Sequence, residues 1–259
     1  MSSIMYKTTE ITSAEIASDN PVHQRLLFPY VEAAKLVKGN VLEIGCGWGR
    51  GLELLTAAAD HYTGIDKNTA LIQSLQNQYP QSTFIQASIP PLSGLPDNTF
   101  DFIVTFQVIE HIQNDDLFVK EAYRVLKPGG TLLLTTVNRV FSLTRNPWHV
   151  REYTAEELKK LLMRHFPQVQ TRGIHGNGKV MEYYEQNKKS VERFTRFDIL
   201  NLQYRLPRWM LQVPYDVMNR MNRNKLLQED GLAAQIQYTD YVLNDNPVGS
   251  LDFFYLAKK

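Results

Sequence analysis

Three glycines at alternate positions, Gly45, Gly47 and Gly49, break the mostly apolar run that begins at Val41 in VLEIGCGWGRG. Glycines so placed let a strand-like segment turn sharply and leave its backbone N–H groups open to close approach by another group. The GLELLTAAA that follows has helical spacing, so the unit reads as strand, turn and helix. Such a unit presents its amides to a nucleotide-like ligand at the carboxyl edge of a sheet. About 20 residues on, YTGID ends in Asp66, from where a carboxylate can accept hydrogen bonds from two ribose hydroxyls. Three side chains further along could take a proton: His111, in VIEH after an apolar run, and His149 and Tyr153, in a loop before a helix cap. His23, His61, His165 and His175 show no ligand spacing, and no metal site is expected. Cys46, the one cysteine, forms no internal disulfide and reads as a small turn residue rather than a nucleophile.

The glycine spacing separates two cofactor classes. A dinucleotide fingerprint, G-x-G-x-x-G, would need a third glycine where Arg50 stands. The pattern present is E-x-G-x-G-x-G over residues 43–49, and it resembles the first motif of class I S-adenosylmethionine-dependent methyltransferases. GID, FDFIVTFQVIEHI, VLKPGGTLLLTT and DFFYLA follow in that family's order. The likeness covers residues 41–137 well, weakens to 165 and returns at the carboxyl end. NPWHVREYTAEELKKLL further resembles the segment after the fifth strand in small-molecule methyltransferases that modify quinones and glycans.

The resemblance implies a Rossmann-like, seven-stranded, mostly parallel sheet with helices on both faces and its last strand antiparallel. It also implies S-adenosylmethionine as cofactor. On that template Glu43 opens the motif, Gly45, Cys46 and Gly47 line the methionine half, Asp66 holds the ribose and Lys67 lies beside the adenine. Ala87 and Ser88 face the adenine edge, and Phe106 and Gln107 border the methionine portion. Ser88 stands where the family usually carries an aspartate, and a neutral hydroxyl accepts more weakly. His111, His149 and Tyr153 become the candidate bases for an acceptor that must lose a proton.

These side chains need a scaffold, and the pattern predicts one. Apolar runs at residues 41–44, 62–65, 100–106 and 131–137 alternate with helical segments, which implies a parallel sheet in an α/β fold. A first helix is expected from an Asn20 cap through Pro29 to a stop at Gly39, and Thr154 with Glu157 reads as a capping box. From about Gly173 the rhythm fails, and a helical insertion broken at Pro207 and Pro214 is expected over 174–245. Residues 1–173 and 246–259 then form the cofactor-binding domain. Within the insertion Met210, Val213, Val217 and Met221 recur at helical spacing and are expected to bury as one stripe, a lid over an amphipathic or apolar acceptor.

The 259 residues are 43% hydrophobic with a formal net charge of +1, which argues against broad attraction to nucleic acid. MSSIMYKTTE lacks an apolar signal core and no apolar run approaches bilayer length, so a cytoplasmic protein is expected. Five basic residues against Asp216 between positions 205 and 225 leave peripheral membrane contact open. The leading function is methyl transfer to a small-molecule oxygen, nitrogen or carbon. A nicotinamide-dependent oxidoreductase and a non-catalytic cofactor-binding protein are the alternatives.

Overall fold

The computed structural model describes residues 12, 16–196, 198 and 201–259; the MSSIMYKTTE stretch lies outside them. Among the described residues eight strands form one sheet: β1 (Asn40–Ile44), β2 (His61–Asp66), β3 (Thr83–Gln86), β4 (Phe100–Phe106), β5 (Leu126–Val137), β6 (Gln168–Gly176), β7 (Tyr241–Asn244) and β8 (Asp252–Lys258). Their order is β3-β2-β1-β4-β5-β8-β6-β7. β1 through β5 pair in parallel, and β8 runs antiparallel between β5 and β6. The strand order reverses between β1 and β4, and the carboxyl ends of these two strands are where α/β sheets hold ligands. One difference from expectation is the strand count. Tyr241–Asn244 adds an eighth, edge strand, and four residues beside a helical stretch are too few to announce a strand by periodicity.

Chain contacts divide the protein into two units. The sheet unit holds residues 27–140, 150–175 and 243–259. Its core packs Leu42, Ile44, Ile103, Leu132 and Leu134 of the strands against Phe118 and Leu158. These last two lie on α4 (Asp115–Val125) and α5 (Ala155–Leu162), while α2 (Leu52–Ala58) and α3 (Thr69–Gln78) follow β1 and β2. Strands buried on both faces explain why β1, β4 and β5 read as nearly unbroken apolar runs. Thr154 and Glu157 close the expected capping box at the start of α5. At the other end of the turn chemistry, Gly129 adopts φ +81° and the register slips between Phe100 and Phe102, so the Pro128-Gly129-Gly130 turn sits inside β5 rather than before it.

The helical unit takes in residues 141–149, 176–242 and the described part of the chain up to Leu26. It contains α6 (Gly178–Thr195), α7 (Leu202–Arg205), α8 (Arg208–Asp230) and α9 (Leu232–Gln235). The early residues join it through long-range bonds. Buried Asp19 receives Arg220 and Arg223 at 2.7 and 3.0 Å, and Asn20 Nδ2 donates to the carbonyls of Ala233 and Ile236. Asn20 is not the expected cap: it is already helical as the first residue of α1 (Asn20–Ala34), and its Oδ1 accepts from Gln24 Nε2 at 3.0 Å; α1 ends well before Gly39. Pro214 lies inside α8 without ending it.

The expected burial of the α8 stripe is not what folds. Met210, Val213, Val217 and Met221 are exposed, Val213 by 72%. The helix turns inward a different face, with Asn222 and Leu226 buried, because the two arginine bonds to Asp19 fix its rotation. Those bonds also consume two of the five basic residues that suggested a charged surface.

Candidate active site

The site is built where β1 gives way to the glycine turn. The amides of Gly45 and Cys46 both donate to the Ile65 carbonyl, at 2.7 and 3.0 Å, which bends the chain out of the sheet. Gly45 has φ +82°, and a Cβ there would stand 2.4 Å from Val108 Cγ2, so the loop after β4 packs directly on the turn. Gly47, with φ +53°, faces the other way: a Cβ there would meet nothing within 4 Å. The turn is thus tight on the sheet side and open on the side where a ligand would lie.

Asp66 ends β2 half-buried beside this opening. One carboxylate oxygen accepts from the Gly47 amide at 3.0 Å and the other from the Asn68 amide at 2.8 Å. Each oxygen keeps further lone pairs for a ligand hydroxyl. Lys67 is exposed and its carbonyl accepts from Gln86 Nε2 at 3.2 Å. Ala87 is tied to the same strand end by its amide bond to the Asp66 carbonyl, and exposed Ser88 follows it. At the end of β4, Phe106 is buried with its ring 4.9 Å from that of Tyr30 and 5.9 Å from that of Phe254. Gln107 adopts φ +56°, a left-handed conformation that a non-glycine residue holds only when its surroundings impose it. Its amide donates to the Thr135 carbonyl and its Nε2 to Asp252 Oδ1, at 3.0 and 3.3 Å.

Glu43 requires a correction. It is only 1% exposed, and its two oxygens accept from Tyr30 at 2.7 Å and from the Tyr62 hydroxyl. It braces the turn from beneath instead of meeting a ligand. Burial raises its carboxyl above the usual carboxylate range, an effect the Tyr62 and Tyr30 hydroxyls only partly offset. A carboxyl raised on folding stabilises the fold fully below its unfolded pKa, about 4.3, and loses that contribution as pH rises through the folded value. Wild type should therefore lose stability relative to Glu43→Gln as pH climbs from about 4.3 toward neutrality. Urea denaturation at several pH values checks this, and parallel pH curves would contradict it. Burial pushes the Cys46 thiol up, which disfavours the reactive thiolate.

The three candidate bases differ in what holds them. His111 closes a short 3₁₀ turn, Ile109–His111, immediately after β4, half-buried, with its amide on the Val108 carbonyl at 2.9 Å. Because Val108 also touches the Gly45 turn, His111 is carried at the same sheet edge as Asp66. Tyr153 is corrected out of the set. It is 0% exposed, its hydroxyl donates to Asp115 at 2.8 Å, and burial above all drives its ionisation upward, so it cannot serve as a base near neutrality. His149 belongs to the helical unit, where its Nε2 lies 2.8 Å from Asn146 Nδ2 and its carbonyl accepts from Arg208.

A sheet that reverses order beside an open glycine turn, with an acid at the next strand end, defines a nucleotide-cofactor-binding α/β enzyme. Comparison with known proteins narrows this. Residues 42–134 match the family model described as "Methyltransferase domain". A Mycolicibacterium smegmatis protein named "Probable S-adenosylmethionine-dependent methyltransferase" is 38% identical over 179 residues, 66% of this chain and 69% of that one. A Mycobacterium tuberculosis protein bearing the same description is 38% identical over 147 residues, and the chain spans only about half, 51%, of its length. A "Ubiquinone biosynthesis O-methyltransferase" of Psychrobacter arcticus is 27% identical over 176 residues, 63% of this chain and 62% of that one. Among solved structures, a SAM-dependent methyltransferase from Thermotoga maritima shares the fold with a TM-score of 0.57 at 16% identity, over 92% of this chain and 91% of that one. The chain belongs to the S-adenosylmethionine-dependent methyltransferases. Its open Gly47 side and its Asp66 carboxylate fit that cofactor, and the family membership sets the nicotinamide reading aside.

Sequence reasoning missed Tyr30 and Tyr62 as partners of Glu43. The only available signal was a buried acid in β1, which must find donors somewhere.

Proposed function

We propose that this methyltransferase acts on a hydroxyl oxygen of a small, amphipathic acceptor, with His111 as the proton-accepting group. The observation that carries the proposal is the position of His111, held by its 3₁₀ turn next to Val108 and so next to the glycine turn. The name of the Psychrobacter arcticus relative supports oxygen over nitrogen or carbon.

S-adenosylmethionine supplies, when bound, a methyl group already activated on a positively charged sulfur. The chain's own work is then to hold and align. Gly45, Cys46 and Gly47 would line the methionine half, bordered by Phe106 and Gln107, with Asp66 on the ribose and Lys67, Ala87 and Ser88 at the adenine. Neutral His111 takes the hydroxyl proton, so that oxygen attacks as its negative charge develops.

Incubation with S-adenosylmethionine and a panel of phenols, catechols, aliphatic alcohols and amines tests this, with S-adenosylhomocysteine quantified and the methyl position assigned by mass spectrometry. O-methylation of hydroxyl compounds is expected. Methyl transfer confined to amines or to carbon would overturn the oxygen assignment.

A further inference from the structure

The helical unit holds a half-open cavity of about 450 Å³, bordered by the 141–149 segment, α6, α7 and α8. Its size falls in the range of small-molecule sites, about 300–1,000 Å³. Its apolar wall comes mainly from Val191, Leu202, Leu206, Met210, Leu211 and Met218. Methionines suit a site for flexible hydrocarbon, since the unbranched thioether adapts its shape to what it contacts.

Two polar groups in this wall decide what kind of hydrocarbon. Arg145 gives its guanidinium to the carbonyls of Gln203 and Leu206, at 2.9 and 3.4 Å, and no acid among the described residues forms an ion pair with it. Carbonyl oxygens hold a guanidinium in place without cancelling its charge, and that fork geometry matches a carboxylate or phosphate. The acid in the wall, Asp198, does not compete, because its oxygens accept from the amides of Leu202 and Gln203 at 2.6 and 3.0 Å. The second group is Asn222, 5% exposed, which donates Nδ2 to Asn187 at 2.6 Å and keeps an Oδ1 with no donor among the described residues.

We propose that this cavity is a binding site for an amphiphile with one hydrocarbon chain and an anionic head, the chain on the Leu206, Met210 and Met218 wall and the head on Arg145. The site lies within one unit and does not depend on the methyl-transfer reading.

Dodecanoate, used below its micelle concentration and compared with dodecanol, is the probe in calorimetric titrations of the full-length protein. Dodecanoate is expected to bind saturably at one site per chain. Arg145→Gln should weaken it about tenfold to a hundredfold, while dodecanol affinity stays the same. Filling the cavity with Leu206→Trp, or with Met210→Trp if the first fails to fold, should abolish both. Circular dichroism and S-adenosylmethionine affinity report folding of each variant. The proposal is overturned by no binding of dodecanoate, by equal dodecanoate affinity in wild type and Arg145→Gln, or by unchanged binding in a folded, cavity-filled variant. Equal head-group preference for inorganic phosphate alone would mark an anion site without a chain and also count against it.

Discussion

Replacing His111 with alanine is expected to lower the methyl-transfer rate about 10²–10⁴-fold, the span of a positioned general base. S-adenosylmethionine affinity should stay within a factor of about two, because methyl transfer needs the base only for the acceptor's proton. The histidine sits on a three-residue turn whose other members, Ile109 and Glu110, are buried and anchor it. Glu110 accepts the amides of Val150 and Arg151 through its carbonyl, at 2.7 and 3.2 Å, so truncating the neighbouring imidazole leaves that backbone framework in place. Single-turnover kinetics beside a cofactor titration separate the two quantities. A parallel collapse of binding and rate would assign His111 a role in holding the loop instead of taking the proton.

The second large effect falls on Asp66. Asp66→Ala should weaken S-adenosylmethionine binding by about 1.5–3 kcal/mol, roughly tenfold to more than a hundredfold, since charge-assisted hydrogen bonds are the strong ones. The carboxylate does two jobs, for it also takes the Gly47 and Asn68 amides. Alanine removes both. Asp66→Asn keeps an acceptor and the side-chain shape while losing the charge, so its affinity should fall between wild type and alanine. Equal affinity of wild type and a folded alanine variant would remove Asp66 from the cofactor site.

What could be read in the sequence followed from local rules. Glycine spacing, a strand-end acid and a capping box each involve neighbours in the chain, so Gly45, Asp66 and Thr154 announce their environments. Features that depend on distant partners stayed hidden. Glu43 sits in the motif like a ligand contact, yet Tyr30 and Tyr62 come from α1 and β2 to claim its oxygens. Tyr153 resembles a base by composition, and only packing shows its hydroxyl committed to Asp115. The α8 helix makes the same point from the other side. Hydropathy turns Val213 and Val217 inward, whereas the bonds from Asp19 to Arg220 and Arg223, some two hundred positions apart in sequence, turn them out. The edge strand Tyr241–Asn244 needed β6 as a template and has no periodicity of its own.

The place of β8 has a consequence for how the protein comes into being on the ribosome. Chains emerge amino end first, at about 5–20 residues per second, and domains assemble as their parts appear. β5 is complete at Val137, but its antiparallel neighbour begins only at Asp252, and β6 depends on that same neighbour for its other edge. Throughout synthesis of the helical stretch the nascent sheet therefore carries open edges of the sort that recruit other strands. Leu132, Leu133 and Leu134 lie along one of them. Emergence of β8 closes the gap between β5 and β6 in a single event, so chaperone demand should concentrate in the interval before it. A stalled or prematurely ended chain would be more prone to aggregate than one bearing a lesion in α8.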